Sequence, residues 1–195
     1  MTSTQLPANT RQWNGQTIPT AGTYLLDPNH KVVGFVARHM MVAKVRGHFD
    51  DATATVTVGE NPVDLSVTAS LQAASITTGQ TDRDNHLRSG DFLETEKYPT
   101  LGFRSTGGVQ DVDGNEFVLP GELTIKDVTR AVELKVTFEG VGRNPYGMDI
   151  VGFSATTEID REDYGLTWNV AIEGGGVLVG KKVKIELEGE LIRQA

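Results

Sequence analysis

Apolar residues recur at every second position over most of the chain, the period of a strand with one covered and one solvated face. Val33, Phe35, Ala37 and His39 share one face, and Val45, Gly47 and Phe49 follow after Met40, Met41 and Val42 break the alternation in a short turn or helix. The rhythm returns in Ala54, Val56 and Val58, and in Leu65, Val67, Ala69 and Leu71. It continues through Leu101, Phe103 and Ser105, and through Phe117, Leu119, Gly121, Leu123 and Ile125. Val132 to Phe138, Ile150 to Ile159, part of Asn169 to Val179, and Val183 to Leu191 complete the series. Asp113-Gly114 and Asp127-Val128-Thr129 read as turns between them. About eight antiparallel strands are predicted, each apolar on one side.

The rhythm stops at Thr81–Thr106. Asp82 with His86, and Asp84 with Arg88, stand four apart, so each pair can meet on one face of a helix near residues 81–92. Tyr98-Pro99 then restores an extended backbone before Leu101 and Phe103. The acids suit a helix start and the arginines suit cross-links to the rim of the sheet.

A single sheet curled into a barrel leaves no open edge and encloses its apolar face. Several inward positions are small, namely Ala37, Ala54, Ala69, Gly121 and Ala155, so an eight-stranded barrel of this composition is expected to keep a cavity. The fold class is all-β, a single-domain antiparallel barrel with a helical cover. A flexible polar arm over residues 1–22, which Trp13 and Ile18 dock, precedes a barrel domain over 23–195.

At 195 residues the chain fits one core, and 22 glycines agree with many tight turns. A net charge of -8 opposes binding to a phosphate backbone, so no nucleic-acid partner is expected. The basic clusters, Lys44 with Arg46 and Lys181-Lys182-Lys184, read as solvated edge charges. With no cysteine there is no disulfide, thiolate site or cysteine nucleophile. The opening residues carry no apolar leader and no run is long enough to span a bilayer, so a cytoplasmic location is expected, or a periplasmic or secreted one if the N-terminus has been trimmed.

His30, His39, His48 and His86 lack metal-ligand spacing, so no metal and no cofactor are expected; structural hydrogen bonds at the barrel mouth are the reading, with an inward neutral histidine orienting a ligand head as the sharper idea. No Gly-x-Ser-x-Gly elbow occurs, and Gly174-Gly175-Gly176 reads as a flexible hairpin turn rather than a phosphate loop.

These residues carry a resemblance. Asp27-Pro28-Asn29-His30 followed by Phe35, Ala37 and His39, then Gly47-His48-Phe49, resembles the opening pattern of the YceI-like family. Ser75-Ile76, Arg83-Asp84, His86-Leu87, Asp91-Phe92, Tyr98-Pro99 and Phe103-Arg104-Ser105-Thr106 are similar to its central signature. Gly121 to Ile125, Val128-Thr129-Arg130 and Ile159 to Gly165 extend the likeness to about Ile192. Lys31 stands where the family commonly has Ser, and Asp160-Arg161 where it has Asn-Arg. The resemblance implies an elongated lipocalin-like antiparallel barrel with a helical cover that binds a long apolar chain such as a polyisoprenoid, an isoprenoid quinone or a fatty amide.

The lining and mouth expected on this basis are Val33, Phe35, Ala37, His39, Phe49, Leu71, Leu87, Phe92, Phe103, Leu123, Phe138, Phe153 and Trp168, with no catalytic residue. The partner is a long-chain apolar small molecule, and a homodimer is compatible with the outer faces. Two alternatives stay open: an enzyme that isomerises or cyclises an isoprenoid with His39 or His86 as acid or base, and a solidly packed stress-linked interaction module.

Overall fold

The computed structural model describes residues 9–172 and 175–194. The strands are β1 (Thr10–Trp13), β2 (Gln16–Pro19), β3 (Gly22–His39), β4 (Ala43–Phe49), β5 (Ala52–Val58), β6 (Leu65–Gln72) and β7 (Ile76–Thr77). After helix α1 (Thr81–Arg88) come β8 (Thr100–Ser105), β9 (Gln110–Asp113), β10 (Glu116–Ile125), β11 (Val128–Arg143), β12 (Asp149–Asp160) and β13 (Val179–Arg193).

Eight of these close a ring in the order β3-β5-β6-β8-β10-β11-β12-β13, with β13 pairing back onto β3. Every pairing in it is antiparallel. The all-β barrel expected from alternation is therefore the fold observed, with the helical segment over one end. β4 and β7 continue the sheet beside the second half of β3.

β3 serves two neighbours because it bends. Gly189 faces Lys31 and Leu191 faces Leu26, so Asp27 to His30 bulge opposite Glu190. Within the bulge Asp27 accepts from the Asn29 N–H (2.8 Å) and its other oxygen meets His30 Nδ1 (2.9 Å). Asp-Pro-Asn-His is thus a bend with its own hydrogen bonds. Those bonds, His30 first and then Asn29, hold the Asp27 carboxyl below its ordinary range.

Residues 10–19, expected within a loose arm, form a two-stranded hairpin instead. Asn14 (φ 49°) and Gly15 (φ 77°) take the two left-handed turn positions where Asn-Gly is the best pair. Asn9 Nδ2 donates to Asp149 (2.8 Å), Arg11 Nη2 to the Gly59 carbonyl (2.6 Å), and Tyr24 Oη to Thr20 O (2.7 Å), pinning the hairpin to the barrel. Ile18 is buried there.

Of Asn169 to Val179, expected in part as a strand, the described residues form an irregular strap with an isolated bridge between Ala171 and Val177. Of the triple glycine, Gly174 lies outside the described residues, while Gly175 N–H donates to Ile172 O (3.1 Å). The turn after β10 is Lys126–Asp127, one residue earlier than its expected position.

Candidate functional site

The ring encloses an apolar cavity of about 390 Å³, within the range of small-molecule pockets. Its wall is made where inward residues are short or thin, and bulk gathers elsewhere. Phe103 lies across Gly121, where a Cβ would stand 2.3 Å from the ring; Phe35 lies likewise over Gly47 (2.3 Å). Those glycines therefore seat aromatic rings flat against the wall. Ala52, Ala54, Ala69 and Ala155 leave the lumen open beside them.

Of the expected lining, Val33, Phe35, Ala37, Phe49, Leu71, Leu87, Phe92, Phe103, Leu123, Phe138 and Phe153 face this cavity. His39 and Trp168 do not. His39 ends β3 in an exposed position, because the strand runs out before the next inward register. Trp168 stands outside the lid, its ring 5.4 Å from Phe92 and 4.5 Å from His86. It props the cover instead of touching the lumen.

One end is closed by α1 and the turns after it, with Leu87, Phe92 and Leu93 pointing in. Asp82–His86 and Asp84–Arg88 share a helix face but make no ion pair among the described residues; the arginine cross-link to the rim is the contact made. Asp84, 6% exposed, turns toward the sheet and accepts from Thr78 N (2.7 Å), Thr78 Oγ1 (2.5 Å) and Thr77 Oγ1 (3.0 Å). Arg88 reaches the carbonyls of Ala74 (2.8 Å) and Ile76 (2.6 Å). His86 pairs with Asp91 at 2.8 Å. The helix is too short to be stable alone, so its charged side chains are used on the rim rather than along its own face.

Burial pushes the Asp84 carboxyl up, yet the bonds from Thr78 and Thr77, with Arg88 near, outweigh it and leave the group below its ordinary 3.8. Its folded pKa lies under its unfolded one, so its contribution is full above about pH 3.8 and is lost as pH falls through the folded value. Asp84→Asn is expected to cost about 2 kcal/mol at pH 7. In melts of both proteins the gap narrows below about pH 4; a gap unchanged down to pH 3 would contradict this assignment. His30 runs the other way: Asp27, then Glu190, raise it above 6.5, so its part is present below that value and fades as pH rises through the folded one.

Beneath the lid lies Arg161, 3% exposed and at the cavity wall. It donates to the carbonyls of Gly180 (3.0 Å), Val179 (3.3 Å) and Leu166, tying the short turn Arg161–Tyr164 to the start of β13. Burial pulls the guanidinium below its ordinary pKa, with Glu162 and Asp160 acting against it. Burial likewise pushes Tyr164 up to about 12.

The opposite end is covered by the β1–β2 hairpin, with Trp13, Ile18 and Pro19 on the lumen beside Tyr24 and Phe117. Sequence reasoning missed this cover as a lining element, although Asn14-Gly15 between two short alternating runs was the signal for it. It also missed Arg161, since nothing in a sequence says which arginine loses its solvent.

No histidine lines the lumen among the described residues, so the idea of an inward histidine at a ligand head is not met. His48 faces Asp50 at 3.0 Å and His30 sits on the outer bulge. No helix among the described residues is long and apolar enough to cross a membrane.

Comparison with known proteins matches this architecture. A UPF0312 protein of Staphylococcus aureus is 38% identical over 169 residues, covering 86% of this chain and 95% of its own. The YCEI protein of Campylobacter jejuni superposes with a TM-score of 0.69 at 25% identity, over 81% of this chain and 90% of that one. A domain from Saccharophagus degradans, described as polyisoprenoid-binding, shares the fold at a TM-score of 0.62 and 14% identity, over 90% of this chain and 100% of its own. Residues 24–191 match the YceI-like domain, and the chain belongs to the YceI-like family.

Proposed function

We propose that this protein binds and carries one long apolar molecule inside the barrel, a polyisoprenoid, an isoprenoid quinone or a fatty amide, by burial alone. The observation that carries the reading is the continuous apolar lumen between lid and hairpin, with Phe, Leu and Val side chains on its wall. The polyisoprenoid-binding description of the Saccharophagus degradans domain supports the same ligand class. A solidly packed module has no use for such a void, which leaves apolar side chains without partners. The enzymatic alternative loses its named acids and bases, because neither His39 nor His86 reaches the lumen.

Recognition of this kind depends on length. Each methylene buried contributes roughly 0.8 kcal/mol, so affinity for a quinone series rises about fifteenfold with every added carbon pair until the lumen is full, then levels. Trp13 on the lumen and Trp168 against the lid report occupancy through quenching by the quinone ring. Affinity independent of tail length would overturn the proposal.

A further inference from the structure

We propose that the lid end of the barrel docks on an anionic lipid surface through the apolar turn Met40–Val42 and the basic strand faces beside it. The turn between β3 and β4 is the most exposed apolar feature at this end: Met40 is 42%, Met41 62% and Val42 84% exposed. Met40 and Met41 both lie in the left-handed region (φ 51° and 58°), which favours Asn and Gly over branched or bulky residues. Val42 N–H donates to His39 O (3.0 Å) and Met40 N–H to Leu178 O (2.8 Å), so the strap holds the tip in place. Val170, on that strap and joined to Leu178 by a 3.0 Å bond, is also 46% exposed. A fixed cluster of apolar tips in water is the mark of an interaction site.

The charges around it select the partner. Arg38 stands opposite Lys44, Val36 opposite Arg46, and Lys184 opposite Val36 on the next strand. Lys181 and Lys182 continue the face at the start of β13. Glu162 takes Lys181 (2.7 Å) and Glu186 takes Lys184 (3.0 Å), but Arg38, Lys44, Arg46 and Lys182 make no ion pair among the described residues. Glu186 also feels Lys44 and Arg46, and Glu158 and Asp160 stand opposite Lys184 and Lys182, yet cations outnumber acids on this face of a chain whose net charge is -8. Apolar side chains for the acyl boundary, ringed by cations for acidic headgroups, fit a bilayer rather than a folded acidic protein, which offers no layer for the methionines to enter. The surface lies at the end where α1 covers the lumen, so docking sets the lid against the phase from which an apolar cargo comes. This deepens the carrier reading, yet vesicle binding is read with no cargo present, so either fails without the other.

The test is flotation of the full chain with phosphatidylcholine vesicles containing about one-third phosphatidylglycerol, against phosphatidylcholine alone. Binding is expected to the anionic vesicles and to fall at least tenfold between about 0.1 and 0.5 M salt. Met41→Asp with Val42→Asp should abolish it. Lys44→Gln, Arg46→Gln and Lys182→Gln together should weaken it about a hundredfold, at roughly fivefold per charge. Melting temperature and quinone uptake in vesicle-free solution stay unchanged in these variants, and Tyr146→Asp, 86% exposed on the β11–β12 turn at the far end, binds as wild type. Equal binding to both vesicle types, equal loss in Tyr146→Asp, or loss of a dimer instead of vesicle binding in the Met41 and Val42 variant would overturn the proposal.

Discussion

Ala155→Phe is expected to keep the barrel folded while lowering uptake of a long-chain isoprenoid quinone by about a hundredfold. Ala155 is buried on β12, between Val136 and Leu187 on the flanking strands, and its methyl faces the lumen midway along the barrel. A phenyl ring there displaces roughly four methylenes of tail, about 3 kcal/mol of burial. The apo barrel does not suffer, since the ring enters space already empty, and its melting temperature holds or rises. Solid packing makes the opposite prediction: the same substitution would cost about 1–3 kcal/mol through strain and leave ligand behaviour untouched. Calorimetric melts alongside quinone titration separate the two outcomes.

Arg161→Ala carries the largest expected loss of stability, about 4 kcal/mol, or a fall of roughly 8–16 °C in melting temperature. The side chain spans three carbonyls at the junction of the turn after β12 with the start of β13, those of Gly180 and Leu166 out of water. Removing it leaves the Gly180 and Leu166 carbonyls buried without that donor, while Val179 O keeps Asn169 Nδ2 (2.8 Å), and two orphaned acceptors cost more than the bonds were worth. Arg161→Lys rescues little, because an ammonium at one point cannot replace a planar fork reaching Gly180, Val179 and Leu166 together. Thermal melts of both variants check this; a lysine variant as stable as wild type would show that charge alone matters there.

Strand period and small inward residues made the barrel and its lumen legible before any coordinates. Alternation over Phe117 to Ile125 fixes which faces turn inward, and closure follows from the cost of an open edge. The same rule failed at His39, since a period says nothing about where a strand leaves the barrel, and at Trp168, which sits in irregular chain without a period. The helix and its arginine link to the rim were visible in the sequence, but the bonds of Asp84 to two rim threonines were not, a tertiary preference that local spacing does not encode. The hairpin over the far end was within reach through Asn14-Gly15, and its polar composition hid it among linker-like residues.

The central claim is that the barrel holds one apolar chain. Native mass spectrometry of the full chain, mixed with an isoprenoid quinone and freed of excess, tests it most directly. The account predicts a single one-to-one adduct that disappears in Ala155→Phe. A protein that stays at its apo mass with every quinone and polyprenol offered would contradict it.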